Sequence, residues 1–231
     1  MKFNNSILNV KDNLNFDFKN SISIITKKKK GIQSQDLLNK ILIDNNIKEN
    51  CIATCIQKHS SNVKYISKPR KYNNLDGLVT HIDNNIVLII QTADCIPIFL
   101  FDKKQKIIGL VHSGWKGTSQ SIIKNAVNIF IKNKSNPSDI LVYLGPSIKS
   151  MSYEIKDDVA TFFSKLYLNK IGGKLYLSIQ DKVIDDLLSM NIKKKNIINS
   201  DVCTYDNLGY CSYRRDGKNA GRMYSIFGVF N

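Results

Sequence analysis

The stretch TADCIPIFLFDKKQKIIGLVHSGWKG, residues 92–117, constrains the fold more than any other part of the chain. Two strongly apolar runs, 96–101 and 106–111, flank a polar stretch at 102–105, which is the pattern of a hairpin. The runs barely alternate, so both faces of the strands must be covered. Strands covered on both faces need layers packed on either side of them. A chain of 231 residues with 42% apolar content can supply those layers from a single domain spanning 1–231. The polar ends of the hairpin then raise a question. Asp94 and Cys95 lead into the first strand, and His112, Ser113, Gly114 and Trp115 follow the second, so a thiol and an imidazole meet at the open end.

The remaining segments agree with an α/β (α+β) layered sandwich, a mixed β-sheet with helices packed on it. Ile- and Val-rich runs at 21–26, 51–56, 62–66 and 85–90 read as strands, bounded by Asn, Asp and Lys. Helical spacing begins at 118–132, where Ile122, Ile123, Ala126, Val127, Ile129 and Phe130 share one face and Thr118 or Ser119 can cap the start. Residues 157–166 and 179–190 repeat that spacing, and between the first two helices a strand runs into the Gly145-Pro146 turn.

The formal charge of +15 invites a nucleic-acid reading. The lysines are spread along the chain, however, and the one dense run, 27–30, reads as a solvated turn, so nucleic acid is not the expected partner. No apolar stretch approaches the ~18–20 residues that cross a bilayer, and MKFNNSILNV lacks the apolar region of a signal peptide. A cytoplasmic location with reduced thiols is expected. Cys51 and Cys55, on an apolar run, read as core residues.

The chain has three histidines, His59, His81 and His112. His59 and His112 join Cys95 as two imidazoles and a thiol, each at the end of a β-run, where a sheet can aim several side chains into one pocket. Two His and one Cys suit Zn²⁺ and leave a fourth position open, but their intervals match no zinc-finger pattern. The residues alone therefore leave open whether each is a ligand or an ordinary strand-end side chain. Trp115, between Gly114 and Gly117, can stack on a ligand or pack in a tight strand-to-helix turn. Arg214, Arg215 and Arg222 stand out in a chain that otherwise uses Lys, and their planar forks suit either a phosphate or carboxylate ligand or a structural pairing with Asp.

The segments QKHSSNV, DGLVT, TADCIPIFLFD, GLVHSGWKG, LGPSI…YEI and CTYDNLGYCSYRRDGKNAGRMYSI, taken in order, resemble the YfiH-like laccase-domain family, also described as purine nucleoside phosphorylases. The resemblance covers roughly residues 50–230. It implies that His59, Cys95 and His112 bind a catalytic zinc ion, and leaves His81 without a role. It also implies phosphorolysis of adenosine, inosine, guanosine or methylthioadenosine and deamination of adenosine, with purine nucleoside and phosphate as partners. Asp94, Trp115, Arg215 and Lys27 are the expected substrate-binding residues. The family's N-terminal segment is shortened here, within residues 1–50, and Lys27 stands where an Arg is expected.

Three other readings compete. A copper-binding, laccase-like polyphenol oxidase fits the family's older name, and Cu²⁺ can occupy a His₂Cys set. Three histidines cannot build a trinuclear copper cluster as well. A metal-free hydrolase would use Cys95 as nucleophile and His112 as base. A nucleic-acid-binding role for the basic surface is the last.

Overall fold

A computed structural model describes residues 6–231; the first five residues of MKFNNSILNV lie outside the described residues. The strands, in chain order, are β1 (Ile7–Asn9), β2 (Ser21–Thr26), β3 (Ile52–Ile56), β4 (Val63–Tyr65), β5 (Lys71–Asn73), β6 (Gly77–His81), β7 (Val87–Thr92), β8 (Ile96–Asp102), β9 (Ile107–Ser113), β10 (Leu141–Leu144), β11 (Glu154–Ile155), β12 (Leu168–Ile171), β13 (Lys174–Leu177), β14 (Ile197–Asn199) and β15 (Met223–Val229). The helices are α1 (Lys11–Leu14), α2 (Ser34–Asp44), α3 (Trp115–Ser119), α4 (Ile122–Lys132), α5 (Asp157–Ala160), α6 (Ile179–Ser189) and α7 (Tyr213–Asp216).

The layered α/β sandwich is present, built on two mixed six-stranded sheets rather than one. The first runs β1-β2-β15-β7-β3-β5 and the second β14-β10-β8-β9-β6-β4, with a small sheet β11-β13-β12 beside them. Strand alternation sorts the side chains into layers. Phe99 and Phe101 of β8 join Ile25, Leu88 and Phe227 in the core between the sheets. Ile96, Ile98 and Leu100 of the same strand face the other way, onto α4 and α6. On the outer face of the first sheet, Ile22, Ile24 and Ile89 pack against Leu37, Leu38 and Ile41 of α2. The order is helix, sheet, sheet, helix, which is why the hairpin strands are apolar on both faces. The inter-sheet core is rich in rings: Phe16 lies 5.1 Å from Phe101 and 4.7 Å from Phe227, centroid to centroid. Burying each such ring contributes roughly 1.5–3 kcal/mol.

Three local readings need correction. Residues 118–132 are not one helix: α3 ends at Ser119, Ser121 adopts a left-handed φ of 54°, and α4 starts afresh. The break lets α3 lie against the His59 loop while α4 packs on the sheet. The helix read at 157–166 stops at Ala160; Phe163 turns into the core while Phe162 and Leu166 stay 60% and 76% exposed. Cys51 closes a short 3₁₀ turn rather than lying on β3. The sequence reading also passed over α2, whose buried stripe is only Leu37, Leu38 and Ile41.

For the site, the important connection is the one from β3 to β4. It carries the chain from the first sheet to the second, and His59 lies on it.

Candidate metal centre and cleft

The hairpin is real. Strands β8 and β9 pair antiparallel with Ile96 opposite Ser113 and Pro97 opposite His112, so Cys95 and His112 sit at the same open end. The loop after β3 brings His59 to them. The ligand-capable atoms of His59, Cys95 and His112 all lie within 4.8 Å of one another, and the two imidazole rings meet edge-on at 4.8 Å. His112 is buried, Cys95 half-buried and His59 exposed towards the cleft.

One residue ties this cluster together. Asp76, just before β6, is completely buried. Its Oδ1 lies 2.9 Å from His112 Nδ1 and accepts the His59 backbone N–H at 3.0 Å. Its Oδ2 accepts the backbone N–H groups of Lys58 and Ser60 at 3.2 and 2.7 Å and the Ser60 hydroxyl at 2.7 Å. Successive backbone N–H groups can close around an anion only if the chain curls, and the φ of 58° at His59 supplies that curl. Burial works against the Asp76 charge, but the bonds from His112 and Ser60 outweigh it and hold the carboxyl at about 2. With its Nδ1 engaged by a carboxylate, His112 presents Nε2 towards Cys95 and His59. Burial alone would raise the Cys95 thiol, but the two imidazoles outweigh it and lower the thiol towards the thiolate. For His112, burial is offset by Cys95 and Asp76, and its basicity rises.

These residues fit a metal ion. A stabilised thiolate, an imidazole oriented by a buried carboxylate and a second imidazole make three ligands, with a fourth position open to the cleft. Binding a metal at His112 Nε2 replaces the proton that the apo site favours.

The two glycines after His112 have steric reasons. A Cβ on Gly114 would stand 2.8 Å from Cys95 Sγ and 3.0 Å from the His59 ring, and one on Gly117 would stand 2.8 Å from the Ser60 carbonyl oxygen. They admit the neighbouring chain, not only a ligand.

The cluster lines a cleft of ≈ 790 Å³. Trp115, Tyr153 and Tyr213 give it aromatic walls, and Lys71, Arg214 and Arg222 give it positive charge. Trp115 faces the cleft and also packs against Phe162, 5.7 Å away between ring centroids. Asp94 lines the cleft because the chain bends there, with φ 83°; its carboxylate accepts the Thr204 hydroxyl and the Arg214 backbone N–H, both at 2.7 Å. Arg215 points elsewhere: its guanidinium pairs with Asp216 at 2.9 Å and donates to the carbonyls of Thr204, Tyr205 and Tyr210. Of the two sequence readings for that fork, the geometry matches the structural one. Lys27 lines an adjoining cavity rather than this cleft. His81 lies away from the cluster and accepts the Asp83 N–H. Cys55 reaches the cleft wall, where burial pushes its thiol up to about 12, so it stays a protonated, inert thiol.

The sequence reading missed Asp76 as a site residue, and it left Arg214 and Arg222, which line the cleft, open between a ligand role and a structural one. The segment DGLVT, which carries Asp76, entered only through the family resemblance, and the arginines near the C-terminus stood out by residue type.

A double-sheet sandwich with a His–Cys–His set at the end of a buried hairpin is the class of protein that fold and site define. The chain belongs to the family described as multi-copper polyphenol oxidoreductase laccase, whose model matches residues 33–229. A Clostridium acetobutylicum protein named purine nucleoside phosphorylase is 36% identical over 177 residues, covering 74% of this chain and 73% of its own. A protein named adenosine deaminase RL5, from an unknown prokaryotic organism, is 30% identical over 160 residues, covering 65% of this chain and 61% of its own. The crystal structure of Bacillus licheniformis YfiH superposes with a TM-score of 0.87 at 22% identity, over 99% of this chain and 98% of that one. YlmD from Geobacillus stearothermophilus gives a TM-score of 0.83 at 23% identity, over 93% of both chains. Among the described residues, no helix is long and apolar enough to cross a membrane.

Proposed function

We propose that this chain is a zinc-dependent enzyme acting on purine nucleosides, deaminating adenosine and cleaving nucleosides by phosphorolysis. The observation that carries the reading is the His59–Cys95–His112 set, oriented by Asp76, in the wall of a cleft that also has aromatic and cationic side chains. Zinc held there supplies Lewis acidity. Trp115 offers a face on which a purine can stack, and Arg214 and Arg222 offer donors to phosphate. In deamination, water oxygen adds at C6 and the amino group leaves as ammonia. In phosphorolysis, a phosphate oxygen bonds to C1′, the bond from C1′ to N9 breaks, and the base leaves with the proton. The relatives named purine nucleoside phosphorylase and adenosine deaminase support the substrate class.

Adenosine supplied with and without phosphate tests the reading. Inosine reports deamination, and adenine with ribose 1-phosphate reports phosphorolysis; the absence of both refutes the proposal. The purified protein is expected to hold one equivalent of zinc, and Cys95→Ala and His112→Ala are each expected to lose it, read by elemental analysis. Full retention in both variants would refute the ligand set. The chain Asp76–His112–Cys95 also has the order of orienter, base and nucleophile. Activity that survives a chelator but dies with Cys95→Ala would transfer the site to that metal-free hydrolase.

A further inference from the structure

We propose that Tyr153 recognises the base in the metal cleft, its hydroxyl donating a hydrogen bond to purine N7; this inference rests on the purine reading above. Tyr153 lies just before β11 and lines the same cleft as His59, Cys95 and His112. Its backbone is tied on both sides: the N–H donates to the Ser150 carbonyl at 3.0 Å, and the carbonyl accepts the Leu177 N–H at 3.1 Å. The same loop is fastened to the residue before Cys95, where the Asp94 carbonyl accepts the Ile148 N–H at 3.0 Å. The Asp94 carboxylate holds the Arg214 backbone N–H at 2.7 Å. The Arg214 guanidinium in turn lies over the Tyr153 ring, 5.2 Å from its centroid, while Nη1 donates to the Glu154 carbonyl at 2.7 Å. A cation held over the face of the ring restrains it as a clamp does.

Tyr153, Tyr213 and Tyr224 are the phenols on the cleft wall, and their hydroxyls differ. That of Tyr224 donates to Gln35 Oε1 at 2.7 Å, and Tyr213 is 51% exposed to water. Tyr153 is half-buried, and among the described residues its hydroxyl makes no hydrogen bond. A phenol keeps its proton at neutral pH, and here burial, followed by the charge on Cys95, strengthens that hold. A donor drawn out of water without an acceptor costs free energy, and a ligand acceptor relieves that cost. A purine that offers C6 to the metal centre brings N1 and N7 to either side of it. N1 accepts in adenosine but carries a proton in inosine, and the 6-substituent changes from an amine donor to a carbonyl acceptor. N7 accepts in both. It also shares a ring with N9, so a hydrogen bond there draws electron density from the base as the C1′–N9 bond breaks. Through C5 it draws density from C6 as water adds. One fixed donor at N7 thus assists both reactions.

Inosine without phosphate is the probe, because it has no 6-amino group to lose and no phosphate to attack it. Calorimetric titration of the metal-containing protein with inosine and with 7-deazainosine, in the parent and in Tyr153→Phe, tests the inference. The parent is expected to bind inosine about tenfold tighter than 7-deazainosine, the size of one hydrogen bond. Tyr153→Phe is expected to bind inosine about tenfold more weakly than the parent does, and 7-deazainosine equally well. Its metal content and thermal melt are expected to match the parent's, since the hydroxyl supports neither. An equal loss for both ligands, or no loss for either, would overturn the inference. Loss of metal from Tyr153→Phe would also overturn it, by assigning the hydroxyl to the metal centre. Turnover separates this inference from the broader reading. A parent that neither binds inosine nor turns over adenosine refutes the purine chemistry and this inference with it. Adenosine turned over by the parent, with no N7-dependent effect of Tyr153→Phe on binding, refutes the inference alone.

Discussion

Gly114→Ala is expected to cost the protein its metal while leaving the fold intact. The backbone at Gly114 has φ −89° and ψ 175°, which any residue adopts, so alanine adds no backbone strain. What it adds is a methyl 2.8 Å from Cys95 Sγ and 3.0 Å from the His59 ring. Two of the three candidate ligands must then move, and displacements near 1 Å at a reacting centre cost about 100-fold. Metal content after dialysis and turnover should both fall by at least that order, with the thermal melt of the metal-free protein close to that of the unaltered one. Retained metal and activity would show that the site tolerates slack that the geometry does not offer.

Asp76→Asn is expected to damage both stability and metal binding. The substitution keeps the shape and replaces one acceptor oxygen with a donor. If the amide nitrogen takes the Oδ1 position, it confronts the His59 N–H and drives the proton of His112 to Nε2, the atom needed for a metal. If it takes the Oδ2 position, it confronts three donors, from Lys58 and Ser60. Neither orientation satisfies the site. Breaking a buried pair of this kind costs about 3–5 kcal/mol, and losing the carboxylate behind a ligating histidine costs ~10–100-fold in metal affinity. Urea unfolding of the metal-free protein reads the first and metal titration the second. A variant equal to the parent in both would remove Asp76 from its central position.

Much of the architecture could be read from local pattern. The unbroken apolar runs of the hairpin announced strands covered on both faces, and Cys95 and His112 at their open end announced a cluster. Residues whose role depends on contacts distant in sequence could not be read this way. The bond from Asp76 to His112 spans 36 residues, and nothing near Asp76 signals a buried carboxylate receiving donors from a loop 16–18 residues earlier. The choice among Arg214, Arg215 and Arg222 was equally opaque, because one short helix sends adjacent arginines in different directions. Arg214 and Arg222 reach the cleft, while Arg215 caps carbonyls. The second sheet was hidden for another reason: alternation shows that a strand is covered, but not whether a helix or another sheet covers it.

Asp94 gives the design an inheritance of two parts. The residues of the metal centre come from the stretch between His59 and His112, whereas Tyr213, Arg214, Arg222 and Tyr224 on the cleft wall come from one short stretch near the C-terminus. Asp94, beside Cys95, fastens the second part to the first through the Thr204 hydroxyl and the Arg214 backbone, neither bond using the Arg214 side chain. The share of selectivity that Tyr213, Arg214, Arg222 and Tyr224 carry can therefore drift from one descendant to another by changes in a single contiguous segment, while the reactive centre is left unaltered.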